Sequence, residues 1–356
     1  MIDTGWIVNE HLYNKILGCL SMVAIGDALG MPSHDMTADE IRKRFKGPLR
    51  DFRTPFKDSR VHAGMRAAQV TDDTLLTLSV ARAYIDLAGA ITPSAIAQYT
   101  ADTARKSFDR GLEPMFGPST KKAIEAIDAG LDPVRACLKE KHPMAGASNG
   151  GAMKTSPAGL FHPGDINAAI EDAVKVCLPS HATQTAISAA CAIAAGISEA
   201  TTPKSTVFSV IKAALSGAQK GEAIGKKVAR NVPLPSVPER IRLAVSISLK
   251  ASSRKKAILN LANIIGSGLP AYESIPTAIG IFLACDGDPK KCVLAGANIG
   301  NDTDTIASMA GALAGTLRGF KAVPKKLFSE VEKTNDLNLK KISADLAKIT
   351  EKNLSD

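Results

Sequence analysis

Two short acidic clusters lie near opposite ends of the chain, Thr71-Asp72-Asp73-Thr74 and Asp302-Thr303-Asp304-Thr305. Each sets two carboxylates among hydroxyls and precedes an apolar run that has to be buried. Carboxylates rarely enter a protein interior unless they are paired, hydrogen-bonded or bound to a cation. If the clusters meet in space, their four carboxylates repel one another until a hard divalent cation neutralises them. An all-oxygen donor set suits magnesium, manganese or calcium rather than zinc. A pair of such cations bridged by carboxylates is a hydrolytic centre. Helix capping alone explains one acid at a helix start, but not two at each of two starts.

Three further segments carry polar groups. Ser148-Asn149-Gly150-Gly151, followed by Ala152-Met153-Lys154, reads either as an anion-cradling turn or as a plain glycine turn. His181 stands in Pro179-Ser180-His181-Ala182 just before an apolar helix, and His34 lies between Ser33 and Asp35. By position alone each histidine reads as a polar boundary residue rather than a ligand. The chain has no Gly-x-Ser-x-Gly elbow, Walker sequence or His-Glu-x-x-His motif.

The elements that must position these groups read as helices. Apolar residues at helical spacing mark a helix over 12–31, ending at Gly30 and Pro32. Residues 46–70 carry no period and read as a loop into the first cluster. Thr71 is the expected N-cap of the next helix, whose face is Leu76, Val80, Ala83, Tyr84 and Leu87. Further helices are expected near 93–104 and 119–129. After a long irregular stretch over 143–164, they are expected near 165–178, 183–200, 204–217, 220–230, 238–250, 253–264, 274–285 and 289–297. The last core helix begins in the second acidic cluster, with Ile306, Met309, Ala310, Leu313 and Leu317 on its apolar face. The charged tail over 324–356 is expected as a peripheral helix. No segment alternates with period two. The expected fold is therefore all-α, in a single domain over 1–356.

Composition agrees. Aromatic residues are only 4% of the chain, and the abundant Ala and Gly allow helices to approach closely. The formal charge is +9 (44 basic against 35 acidic residues), which favours anionic ligands. The basic residues are scattered without interleaved aromatics, so no nucleic-acid partner is expected. The six cysteines form no C-x-x-C pair and read as reduced thiols of a cytoplasmic protein. The run Ala186–Ile197 is too short to span a bilayer, and neither a membrane partner nor a signal peptide is expected.

Five ordered segments make the chain resemble the ADP-ribosylglycohydrolase family, which includes dinitrogenase reductase-activating glycohydrolase and the ADP-ribosylarginine hydrolases. They are Gly26-Asp27-Ala28-Leu29-Gly30, Thr71-Asp72-Asp73-Thr74, Asn149 to Lys154, Ser180-His181, and Gly300 to Thr305. The resemblance implies an orthogonal multi-helix bundle with two Mg2+ or Mn2+ ions in a cleft. By matching position, Thr71, Asp72, Asp73, Asp302, Asp304 and Thr305 would be the metal ligands. Ser148, Asn149, Gly150, Gly151, Met153, His181, Gly300 and Asn301 would bind an ADP-ribose-like ligand, with His181 lining the cleft. Asp72, Asp73, Asp304 and His34 are the candidate catalytic groups. The implied activity is metal-dependent cleavage of the glycosidic bond at ribose C1 of an ADP-ribosyl group, on a protein or a small molecule. The alternatives are a hydrolase of free nucleosides or small ribosides, and a catalytically retired ADP-ribose-binding or structural member of the family. Two positions depart from the family pattern: His34 replaces a usual Glu, and Asn301 replaces a usual Gly.

Overall fold

Side-chain caps and N1 prolines start most helices where the sequence places them. Asn9 accepts from the backbone N–H groups of His11 and Leu12, Thr71 from Asp73, Thr183 from Ala186 and Asp288 from Lys291. Pro93, Pro118, Pro133 and Pro289 occupy first-turn positions. A computed structural model describes residues 9–355. Among them, the first helices are Glu10–Gly30 (α1), Ala38–Arg44 (α2), Asp72–Asp86 (α3), Pro93–Phe108 (α4), Pro118–Asp128 (α5) and Pro133–Leu138 (α6). Ser156–Phe161 (α7), Ile166–Cys177 (α8), Gln184–Ala200 (α9), Val207–Val228 (α10), Val237–Lys250 (α11) and Arg254–Asn260 (α12) follow. The last are Ala271–Ala284 (α13), Pro289–Gly296 (α14), Thr303–Arg318 (α15), Lys325–Asn335 (α16) and Leu339–Ser355 (α17).

The fold is all-α, with α1 and α15 packed against each other at its centre. They touch backbone to backbone. A Cβ on Gly26 would sit 2.4 Å from the carbonyl oxygen of Ala307, and one on Gly30 would sit 2.4 Å from the Asp304 backbone. Only glycine permits that approach, and it carries the start of α15 onto the end of α1. The Ala-rich α9 packs on α8 and α10, and α11 packs on α13. The span Glu10–Ser33 is apolar and long enough to cross a membrane by composition, but its most apolar 18 residues are buried inside the fold. It also carries Lys15 and Asp27, which are buried and hydrogen-bonded.

Several elements differ from the sequence reading: α2 and α6 were not expected, and α7 forms within the stretch read as irregular over 143–164. Residues 204–230, expected as two helices, form the single helix α10, because Gly217 and Gly221 pack against Cys191 and Ala195 of α9 instead of ending a helix. The helix expected over 253–264 is α12 followed by a π turn, Leu261–Ile265. The tail is two helices, not one peripheral helix: Leu339, Leu346 and Ala347 of α17 are fully buried and join the main core beside α1 and α3. Finally, a two-residue antiparallel ribbon pairs Met36–Thr37 (β1) with Gly300–Asn301 (β2).

Candidate metal centre

The α1–α15 crossing and the ribbon bring the two acidic clusters together. Thr305 Oγ1 donates to Asp73 Oδ2 at 3.0 Å, bridging the starts of α15 and α3. Asp73, Asp302 and Asp304 are all buried, while Asp72 remains partly exposed. Capping does not use up their oxygens. Thr71 caps α3 with its hydroxyl, and Asp302 sits at the N-cap of α15 without accepting any capping bond. Asp73 Oδ1 and Asp302 Oδ1 are buried and accept no hydrogen bond. Two unsatisfied carboxylate oxygens facing like charges are costly unless a cation binds them. The structure thus brings the two expected ligand segments, with Thr71, Asp72 and Asp73 on one side and Asp302, Asp304 and Thr305 on the other, to one place through the Thr305–Asp73 bond, while the three side chains whose ligand atoms lie within 4.8 Å of one another are His34, His62 and Asp304.

The charges push on one another. Burial, and then repulsion from Asp27 and Asp304, raises the pKa values of Asp72 and Asp73. Burial and the neighbouring Asp304 push Asp302 up to about 7. Burial also opposes ionisation of Asp304, but the His34 imidazolium outweighs it and holds this carboxyl well below its usual range. Conversely, burial disfavours a charged His34, while Asp304, Asp302 and Asp35 overcome that and raise it to about 10. His34 Nδ1 lies 2.8 Å from Asp304 Oδ1 and 3.5 Å from Asp302 Oδ1. The ribbon puts it there, since the Asp35 N–H donates to the Asn301 carbonyl at 2.9 Å.

Two residues of this centre had no role in the sequence reading. Asp27, fully buried on α1, accepts from the N–H and hydroxyl of both Thr71 and Thr74, which fixes the start of α3. Burial, partly offset by the Thr74 hydrogen bond, leaves its pKa at about 7. A lone carboxylate inside the apolar pattern of α1 was the signal that could have found it. His62 comes from the aperiodic 46–70 segment, and nothing in its sequence context marks it. Its Nε2 lies 3.6 Å from Asp304 Oδ2, and its ring stands edge-on to that of His34.

The expected ligand-binding residues flank this cluster. Asn149 donates its side-chain N–H to Asp302 Oδ2 and its backbone N–H to the Leu269 carbonyl, anchoring the glycine turn to the acidic cluster. Ser148 Oγ lies 3.0 Å from His181 Nε2. His181 does not line the cleft: it is buried beneath the turn, against Gly150 and Gly151, with Nδ1 2.8 Å from Ser180 Oγ. Ser180 in turn accepts from the fully buried Lys154 Nζ at 3.1 Å. Met153 packs in a satellite core with Met31, Met65 and Leu76. Gly300 and Asn301 have φ values of +97° and +64°, so the Asn occupies a left-handed position that glycine also suits. A cavity of about 340 Å3 lies beside Gly146 and Ser180, but no residue of the acidic clusters lines it.

The profile of the ADP-ribosylglycohydrolase family matches residues 9–354, and the chain belongs to that family. It is 32% identical to YegU, an uncharacterized protein of Escherichia coli strain K12, over 94% of this chain and 96% of that one. It is also 26% identical to human ADP-ribosylhydrolase ARH3, covering 88% of this chain and 87% of the human protein. An ADP-ribosylglycohydrolase-related protein complex has the same all-α fold, with a TM-score of 0.66 at 18% identity over 96% of this chain and 99% of that one.

Proposed function

We propose that the protein is a metal-dependent hydrolase that cleaves the glycosidic bond at ribose C1 of an ADP-ribosyl group. The observation that carries this reading is the convergence of the two acidic helix starts, with Asp73 Oδ1 and Asp302 Oδ1 each left without a hydrogen bond. Thr71, Asp72, Asp73, Asp302, Asp304 and Thr305 would hold the cations, Mg2+ or Mn2+. When bound, these cations supply Lewis acidity towards the ribose oxygens and cancel the carboxylate charge.

The chain's own groups divide the remaining work. Asp72 is the one member of the four-carboxylate cluster that is partly exposed, and its pKa is raised. It is the group suited to take a proton from the attacking water as the oxocarbenium-like state forms. Asp304 is held by His34 and flanked by His62, and Asp73 accepts from Thr305, so these carboxylates are oriented rather than free. His34, with Nδ1 2.8 Å from Asp304 Oδ1, orients that carboxylate. Ser148 and the glycine turn, tied to Asp302 through Asn149, would receive the phosphates.

The test is release of ADP-ribose from ADP-ribosyl-arginine and O-acetyl-ADP-ribose, with simple nucleosides in parallel. Millimolar EDTA should abolish turnover and Mg2+ or Mn2+ should restore it. Asp304→Asn should lose at least one ion and most of the activity. Unchanged turnover after exhaustive chelation would rule the reading out. Cleavage of nucleosides alone would reassign the substrate. One observation favours a second reading: His34 already neutralises part of the cluster. Calorimetric ADP-ribose binding with no released product would make the protein a binding member of its family.

A further inference from the structure

Magnesium is poorly matched to one side of this centre. His34, His62 and Asp304 each present a ligand atom, all within 4.8 Å of one another. The Nδ1 of His62 lies 3.1 Å from the Met31 carbonyl, which can only accept, so that nitrogen carries the ring hydrogen. The neutral ring then aims its Nε2 lone pair at Asp304 Oδ2, 3.6 Å away and too far for a good hydrogen bond. Two acceptor atoms of buried residues thus stand 3.6 Å apart, a spacing that two ligands of one ion can share. Backbone fixing of the distal ring nitrogen is also how metal-binding histidines are held. Beside them, Asp302 Oδ1 is a buried oxygen without a hydrogen bond, 3.5 Å from His34 Nδ1.

We propose that the cation on the Asp302–Asp304 side of the centre is bound through imidazole nitrogen from His34 and His62 as well as carboxylate oxygen, and is a borderline first-row divalent ion such as manganese(II), iron(II) or cobalt(II). Imidazole ligands select such ions over magnesium, which keeps to oxygen. The inference rests on the metal centre of the hydrolase reading and specifies its ion. It also gives His34 a use: the ion displaces the proton that His34 otherwise shares with Asp304, and the imidazole then supplies a neutral nitrogen in place of an anionic oxygen, which changes which ion fits.

The test uses the full chain, stripped with chelator and reloaded with Mn2+, and pulsed electron paramagnetic resonance to detect 14N coupling to the bound ion. Nitrogen coupling is expected in the wild type. It should weaken in His34→Gln and in His62→Gln and disappear in the double variant, with circular dichroism to verify folding. His62→Gln should lower Mn2+ affinity about tenfold or more, while Mg2+ affinity changes little. His34→Gln, at a less buried position, carries the same test if His62→Gln does not fold. Bound Mn2+ without nitrogen coupling in the wild type, coupling that survives in the folded double variant, or failure to bind Mn2+ would each overturn the proposal. Turnover with Mg2+ and an all-oxygen Mn2+ spectrum would sink this inference and leave the hydrolase reading intact. Nitrogen coupling without cleavage of any ADP-ribosyl substrate would do the reverse.

Discussion

Lys154 is fully buried and, among the described residues, donates to a single partner, the hydroxyl of Ser180. An ammonium can only donate, so the hydrogen of Ser180 is left for His181 Nδ1, the other polar atom within its reach. The neutral His181 ring must then carry its hydrogen on Nε2 and donate to Ser148. One buried charge thus sets the direction of a hydrogen-bond chain ending beside the glycine turn, and it turns the Ser148 hydroxyl into a donor towards the cleft. Burial pushes the Lys154 pKa down to about 8 from 10.5. Between those values the unfolded chain holds the proton and the folded one does not, so stability rises with pH across the window. Lys154→Met removes this contribution. From pH 7 to pH 10, the unfolding free energy of the wild type should gain roughly 3 kcal/mol on the variant, measured by urea denaturation. Parallel stability curves would contradict the assignment. The sequence offered His181 and the glycine turn, but the Lys154–Ser180 link was hidden because it joins residues from separate segments.

At the scale of elements, the centre depends on how closely α1 and α15 approach. Gly18 and Gly30 lie at the two ends of this contact. A Cβ on Gly18 would meet the Gly315 carbonyl at 2.4 Å, while one on Gly30 would meet the Asp304 backbone at the same distance. Both Gly18→Ala and Gly30→Ala should destabilise the fold by about 1–3 kcal/mol, through overpacking against backbone. Only Gly30→Ala shifts the start of α15, so metal content after reloading should fall in that variant and stay near wild type in Gly18→Ala. Equal metal content in the two would show that the crossing does not position the site. Most helices, including the starts of α3 and α15, were legible because their caps and apolar spacing are local. The β1–β2 ribbon was not, because two residues carry no period and their pairing is decided by the distant Asn301. The buried face of α17 was masked by its many lysines, which lie between the apolar positions.

Over the whole molecule, the charge balance has two parts. The chain carries +9 overall, yet its centre gathers Asp27, Asp72, Asp73, Asp302 and Asp304. A net positive charge favours anionic ligands, while an acidic interior suits a cation. Asp302 retains its proton below about pH 7, and a protonated carboxyl does not ligate. Metal affinity should therefore rise with pH, with Mn2+ titrations by calorimetry giving a dissociation constant about tenfold or more weaker at pH 5.5 than at pH 8. A flat profile would place the titrating carboxylates outside the ion's coordination. The convergence of the clusters could be inferred from their paired composition. Asp27, which orders one of them, left a sequence signal as a lone carboxylate in an apolar helix, whereas His62, which changes the donor set, became visible only once the chain was folded.

The Asn149–Asp302 hydrogen bond ties the two halves of the cleft to one carboxylate. A cation bound to one oxygen of Asp302 would act, through the other, on the turn proposed to hold a pyrophosphate. Cooperativity of this kind is reciprocal: if the ion strengthens nucleotide binding by some factor, the nucleotide strengthens retention of the ion by the same factor. In metal-poor surroundings, the presence of ligand would then decide whether the ion stays.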